Sequence, residues 1–266
     1  MAKKKTNGLS IAIVALNIII VGVIILLVVL VYLHMKEDTD NGRGESTSTS
    51  QSSPEDVSED TSDSADGSSV STTPGVSPIP TYNRSFFAND LFIGDSIATG
   101  LYDYSFLDKA NVFAEVGLNP ESVLTKEVDG MTCAGKVSAM QPRNIYIMLG
   151  SNGLAFLDGS YMSTKIVELI AQLEAACPTA KIYIITIPPV TAEREAAGNE
   201  TMEKINSYNT LLRNICSEGG YGCIDLCPLL QDENGYLSSR YAEVDGLHFL
   251  SDAYLTMLSY VEQCAG

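Results

Sequence analysis

From Leu9 to Leu33 the chain runs for 25 residues without a charge, and only Ser10, Asn17 and Gly22 interrupt the apolar pattern. At about 1.5 Å per helical residue such a run exceeds a hydrocarbon core of about 30 Å. A cleaved secretion signal would carry a shorter apolar stretch of about 7–15 residues ending in a small-x-small site. Val31-Tyr32-Leu33-His34-Met35 follows here instead, with an aromatic at the expected interface. The pattern therefore predicts a retained transmembrane helix over residues 9–33, with residues 1–8 as its flank. Residues 34–80 reverse the pattern. Ser, Thr, Asp, Glu, Gly and Pro dominate, with hardly an apolar position before Val70. Such a segment cannot bury enough surface to offset the entropy of ordering, so it reads as a disordered linker. As a flexible coil it spans about 35–40 Å.

Beyond Pro80 short apolar runs alternate with helical periodicities. Leu91–Ile93, Val112–Val116, Ile145–Leu149, Lys181–Ile187 and Gly222–Leu226 read as buried strands. Between and after them, residues 161–176 place Ile166, Leu169, Ile170 and Leu173 on one face. Residues 202–216 do the same with Ile205, Tyr208, Leu212 and Ile215, and residues 252–263 with Leu255, Leu258 and Tyr260. Strands alternating with helices predict an α/β domain over residues 81–266, a three-layer α/β/α sandwich on a five-stranded parallel sheet. Ligands of such sheets lie beyond the carboxyl ends of the strands.

Charge divides along the same boundaries. Residues 1–36 carry four Lys and no acid, residues 37–80 carry ten acids against Arg43, and residues 81–266 hold 23 acids and 11 bases. Lysines before the span and acids after it predict a cytoplasmic N-terminus and an extracytoplasmic, cell-surface domain. An acidic domain without a basic stripe excludes nucleic acid as a partner, because phosphate neutralisation supplies most of that affinity. Six cysteines at 133, 177, 216, 223, 227 and 264 are expected to be buried free thiols. The spacing of Cys216, Cys223 and Cys227 fits no zinc template, so no metal is expected.

The strand ends carry the candidate chemistry. The first strand runs into Gly94-Asp95-Ser96, the second into Gly117 and the third into Gly150-Ser151-Asn152, while Asp245-Gly246-Leu247-His248 precedes the last helix. A serine hydroxyl needs a base to take its proton and a third group to orient that base. His34 lies at the membrane boundary, which leaves His248 as the domain's imidazole, and Asp245 three residues earlier can reach its Nδ1. The backbone N–H groups of Ser96 and Gly117 and the Asn152 amide are candidate donors to a developing oxyanion. Glycine at 117 lets substrate approach the main chain. Asp95 is expected to buttress its turn, and Pro188-Pro189 to shape the rim.

These four blocks, in this order, resemble the signature of the SGNH (GDSL-type) serine hydrolase family over residues 85–266. The resemblance implies a flavodoxin-like SGNH hydrolase fold and acyl-ester chemistry without a cofactor. It also implies Ser96 as nucleophile, His248 as base, Asp245 as the orienting acid, and an oxyanion hole from Ser96, Gly117 and Asn152. One departure is Gly153, where many relatives continue the third block with an acid. Gly-Asp-Ser-Ile-Ala also fits a loose nucleophile elbow of the α/β-hydrolases. There, however, the serine comes mid-chain and the acid lies well before the histidine. The expected activity is a membrane-anchored serine esterase acting on acyl, most simply acetyl, esters of a surface glycan. The alternatives are an O-acyltransferase of the same outer layer and an inactive glycan-binding module.

Overall fold

The computed structural model describes residues 80–198 and 200–266. The transmembrane helix expected over residues 9–33 and the linker up to residue 79 lie outside them. Among the described residues no helix is long and apolar enough to cross a membrane. In chain order the domain has strands β1 (Asp90–Gly94), β2 (Val112–Ala114), β3 (Glu127–Val128), β4 (Met131–Thr132), β5 (Asn144–Met148), β6 (Lys181–Ile185) and β7 (Gly222–Ile224). Its helices are α1 (Ser96–Asp103), α2 (Cys133–Met140), α3 (Gly159–Ala176), α4 (Ala192–Ala197), α5 (Met202–Gly219), α6 (Cys227–Leu230) and α7 (Ser251–Ala265).

Five strands form one parallel sheet in the order β2-β1-β5-β6-β7, while β3 and β4 make a separate antiparallel hairpin. From β1 the chain steps to one side, into β2, and then back across β1 to β5, β6 and β7. Right-handed crossovers in opposite directions put α1 on one face and α2, α3 and α5 on the other. The carboxyl ends of β1 and β5 flank the point where the direction of winding reverses, the place where open α/β sheets bind ligands.

The central strands β1 and β5 are buried at every position, as continuous apolar runs in a two-sided sheet must be. Helix α3 buries Met162, Ile166, Leu169, Ile170 and Leu173, each side chain contributing about 1.5–3 kcal/mol by leaving water. Its start is set by Asp158, whose Oδ1 accepts from the N–H groups of Ser160 and Tyr161. Helix α5 begins at the Thr201 cap and stops at Gly220, a left-handed residue that few side chains tolerate. Opposite the site edge, buried Asp90 is paired by the Arg143 guanidinium at 3.0 and 2.8 Å and by the Asn144 amide at 3.2 Å.

Several expectations need correction: β6 stops at Ile185 and β7 at Ile224, each two residues short of the expected Ile187 and Leu226. Strand β2 stops at Ala114 rather than Val116, because Glu115 and Val116 turn away from the sheet and Val116 is 72% exposed. All six cysteines are free, but Cys223 and Cys264 are exposed. Cys223 lies on the edge strand β7 and Cys264 in the last turn of α7, where neither is covered.

Candidate active site

Gly94 ends β1 against its neighbours so closely that a Cβ there would lie 2.4 Å from the Ala98 Cβ and 3.0 Å from the Met148 carbonyl. The chain turns directly into α1, with Asp95 as the N-cap. Asp95 Oδ1 accepts from the Ile97 N–H at 3.0 Å, and Ser96 becomes the first helical residue. Ser96 is therefore held at the positive end of the helix dipole. Helix α1 is fixed in turn by α7, where the Tyr254 hydroxyl donates to the Ile97 carbonyl at 2.8 Å. Only a glycine at 100 leaves room for that ring, since a Cβ would meet the hydroxyl at 1.9 Å.

The loop before α7 brings the acid and base to Ser96. Asp245 Oδ1 accepts from the N–H groups of Leu247 and His248, both at 3.0 Å. Its Oδ2 pairs with His248 Nδ1 at 2.5 Å, and His248 Nε2 lies 2.9 Å from Ser96 Oγ. Gly246 makes the turn with φ +72°, and its carbonyl accepts from the Thr191 N–H on the rim segment that follows β6. That rim is itself pinned by buried Asn209 of α5, whose amide bridges both the N–H and the carbonyl of Ile187 at 2.8 Å. Burial alone would raise the pKa of Asp245. The hydrogen bonds from the His248 ring and from the two N–H groups outweigh it and hold the carboxyl at about 2. Asp245 is thus an anion near neutral pH, able to fix the imidazole tautomer that leaves Nε2 free to accept a proton.

The expected oxyanion donors come from the neighbouring strand ends. Gly117 lies three residues past β2 with φ +81°, and nothing would come within 4 Å of a Cβ there. Its surroundings are open, and its conformation is one that side chains rarely adopt. Asn152 follows β5 on a loop squeezed against the domain. A Cβ at Gly150 would meet the Ile187 side chain at 2.3 Å, and one at Gly153 the Met162 sulfur at 2.2 Å. Glycine rather than an acid at 153 therefore has a steric cause. Asn152 Nδ2 is buried and has no hydrogen-bond partner.

The structure joins Ser96, His248 and Asp245 by direct hydrogen bonds and sets Gly117 and Asn152 past the ends of β2 and β5, the two strands that flank β1. Asp95 caps the turn as expected, and its carboxyl is buried there. It is 1% exposed and its Oδ2 is unpartnered. Burial pushes its carboxyl up, while the Ile97 N–H, the charge of His248 and the Asn152 amide pull it back, leaving it at about 6. Neither Asn209 nor Thr191 carries a motif, and only the fold reveals their support of the rim.

A doubly wound sheet with a hydrogen-bonded serine, histidine and aspartate at its switch point has the architecture of a serine hydrolase. The GDSL-like lipase/acylhydrolase family model matches residues 92–254. The chain belongs to that family and is an ester hydrolase. Its fold is similar to that of a GDSL-like lipase from Bacteroides thetaiotaomicron, with a TM-score of 0.55 at 18% identity over 65% of this chain and 85% of that one. A lipase/acylhydrolase from Enterococcus faecalis is similar with a TM-score of 0.51 at 16% identity, over 65% and 94% of the two chains. No curated protein matches the chain in sequence.

Proposed function

We propose that the protein is an extracytoplasmic serine esterase, held to the membrane by residues 9–33, that removes acyl groups, most simply acetyl, from a cell-surface glycan. The observation that carries the catalytic part is the unbroken run of contacts from Ser96 Oγ through His248 to Asp245. Ser96 Oγ attacks the ester carbonyl while His248 Nε2 takes its proton. The Ser96 and Gly117 N–H groups and the Asn152 amide receive the oxyanion. His248 then returns the proton to the leaving alcohol, and the acyl group stays on Ser96. Water, deprotonated by the same imidazole, attacks the acyl-serine and releases the acid and the free hydroxyl.

Support for a bulky alcohol part comes from the openness of the site. The space where a Gly117 Cβ would stand is open, and Val116, Phe156 and Val244, beside three of the four site loops, are 72%, 68% and fully exposed. A polymer-borne ester can lie across such an edge, with apolar side chains against its acyl group or sugar faces. The outward orientation is supported by the charge pattern around residues 9–33.

A panel of p-nitrophenyl esters and acetylated glycans, each with and without an acceptor sugar, tests the reaction. Release of acid without acceptor supports the esterase, acyl transfer only with acceptor supports an acyltransferase, and no turnover removes the catalytic reading. Protease added to intact cells should cut between residues 37 and 80 and release an active fragment of about 20 kDa. Resistance until the cells are lysed would place the domain inside and remove the surface substrate.

A further inference from the structure

Two buried polar atoms at the site lack partners, Asp95 Oδ2 and Asn152 Nδ2. They are chemically complementary, an acceptor and a donor, and they sit on the loops that leave adjacent strands β1 and β5. The Asn152 amide is also close enough to Asp95 to favour its charged form. Leaving two such groups unpaired away from water forfeits the hydrogen bonds that each made in solvent, a standing drive for them to join. The other carboxylate oxygen is already committed to the Ile97 N–H, so Oδ2 is the oxygen that faces this choice.

Resting on the esterase reading, we propose that Asp95 is a positioning residue for Asn152. Its ionised Oδ2 accepts one amide hydrogen as the transition state forms and so directs the second toward the oxyanion. A protonated Asp95 cannot serve. With Oδ1 capping α1, the proton falls on Oδ2, where a donor then faces a donor and the carboxamide is driven to turn its oxygen inward. The groups facing Asp95 are His248, from the loop before α7, and Tyr254, from α7 itself, whose hydroxyl is committed to Ile97. Of these, His248 changes charge during the reaction, and an ionised Asp95 favours the imidazolium formed on attack.

Asp95→Asn separates this role from turn support. Asparagine is as good a helix cap as aspartate, but with its oxygen on the Ile97 N–H it presents an amide donor to Asn152. In the full chain, with p-nitrophenyl acetate as probe, kcat should fall about 10- to 100-fold with KM little changed. The bound is the loss of a whole oxyanion donor, about 100- to 1000-fold. In an Asn152→Ala background the same change should cost almost nothing more, because the two residues act as a unit. Asp95, with its carboxyl at about 6, adds its own ionisation to the acid limb of log kcat/KM, so that limb should become shallower in Asp95→Asn. An acid limb unchanged by the substitution, wild-type kcat in Asp95→Asn, or additive losses with Asn152→Ala would each overturn the proposal. Loss of all activity in Ser96→Ala alongside any of these would leave the esterase reading standing. Full activity in Ser96→Ala would remove that reading itself.

Discussion

Asp95→Asn should make the protein more stable and should do so in a defined pH range. The carboxyl is fully buried, and its pKa rises from 3.8 to about 6 because burial penalises the anion. At about 1.4 kcal/mol per pH unit, that rise corresponds to about 3 kcal/mol. The native state binds this proton more tightly than the unfolded chain, so stability falls as pH climbs from about 4 through about 6. The substituted side chain, a neutral amide, cannot ionise and escapes the loss. Allowing for the part already titrated at pH 4, the advantage of Asp95→Asn over the natural chain should grow by about 2 to 3 kcal/mol between pH 4 and pH 8. Asp245, held at about 2, changes stability only below that window. Urea unfolding of both chains at pH 4, 6 and 8 measures the difference. At pH 8 the melting temperature should differ by roughly 4 to 12 °C, at about 2–4 °C per kcal/mol. An advantage independent of pH, or one that shrinks as pH rises, would refute a buried ionising carboxyl. A stabilised but slow Asp95→Asn would mark a buried charge kept for activity at the expense of stability.

Two further outcomes follow from packing. Gly246→Ala adds a Cβ 2.3 Å from Thr191 Oγ1 and 2.9 Å from the Arg194 Cβ at φ +72°. The loop holding Asp245 and His248 must therefore shift, and kcat should drop about 100-fold, as a displacement of about 1 Å typically costs; unchanged turnover would show that the loop's position is not critical. A maleimide should modify Cys223 and Cys264 in the native chain and all six thiols only after unfolding, since burial covers the others and pushes Cys133 up to about 12. Fewer than six thiols after unfolding without reductant would reveal disulfides.

Much of the site was legible because its parts are short segments at the ends of strands. The serine, the two glycine-bearing turns and the Asp-x-x-His segment each announce themselves by residue type. The apolar runs place them on one edge of the sheet. Strand lengths were overestimated at β2, β6 and β7 because apolar residues such as Val116 and Ile187 continue past the last sheet pairing. Val116 continues into solvent and Ile187 into the rim. Helices α1 and α2 carry no long periodic stripe and escaped notice. Asp95 looked like a turn residue, which it is. Its burial and its unsatisfied oxygen depend on Asn152 and His248, far along the chain, and no local pattern encodes them. Asn209 is likewise an ordinary polar residue on an amphipathic helix until the fold brings the Ile187 backbone to it.

The central claim is that Ser96, activated by His248, forms the covalent acyl intermediate. The most direct measurement is labelling of the full chain with a fluorophosphonate, followed by digestion and identification of the modified peptide by mass spectrometry. The account predicts one modified residue, Ser96, with labelling abolished in Ser96→Ala and slowed by orders of magnitude in His248→Ala. Modification of a different residue, or undiminished labelling of Ser96→Ala, would contradict it.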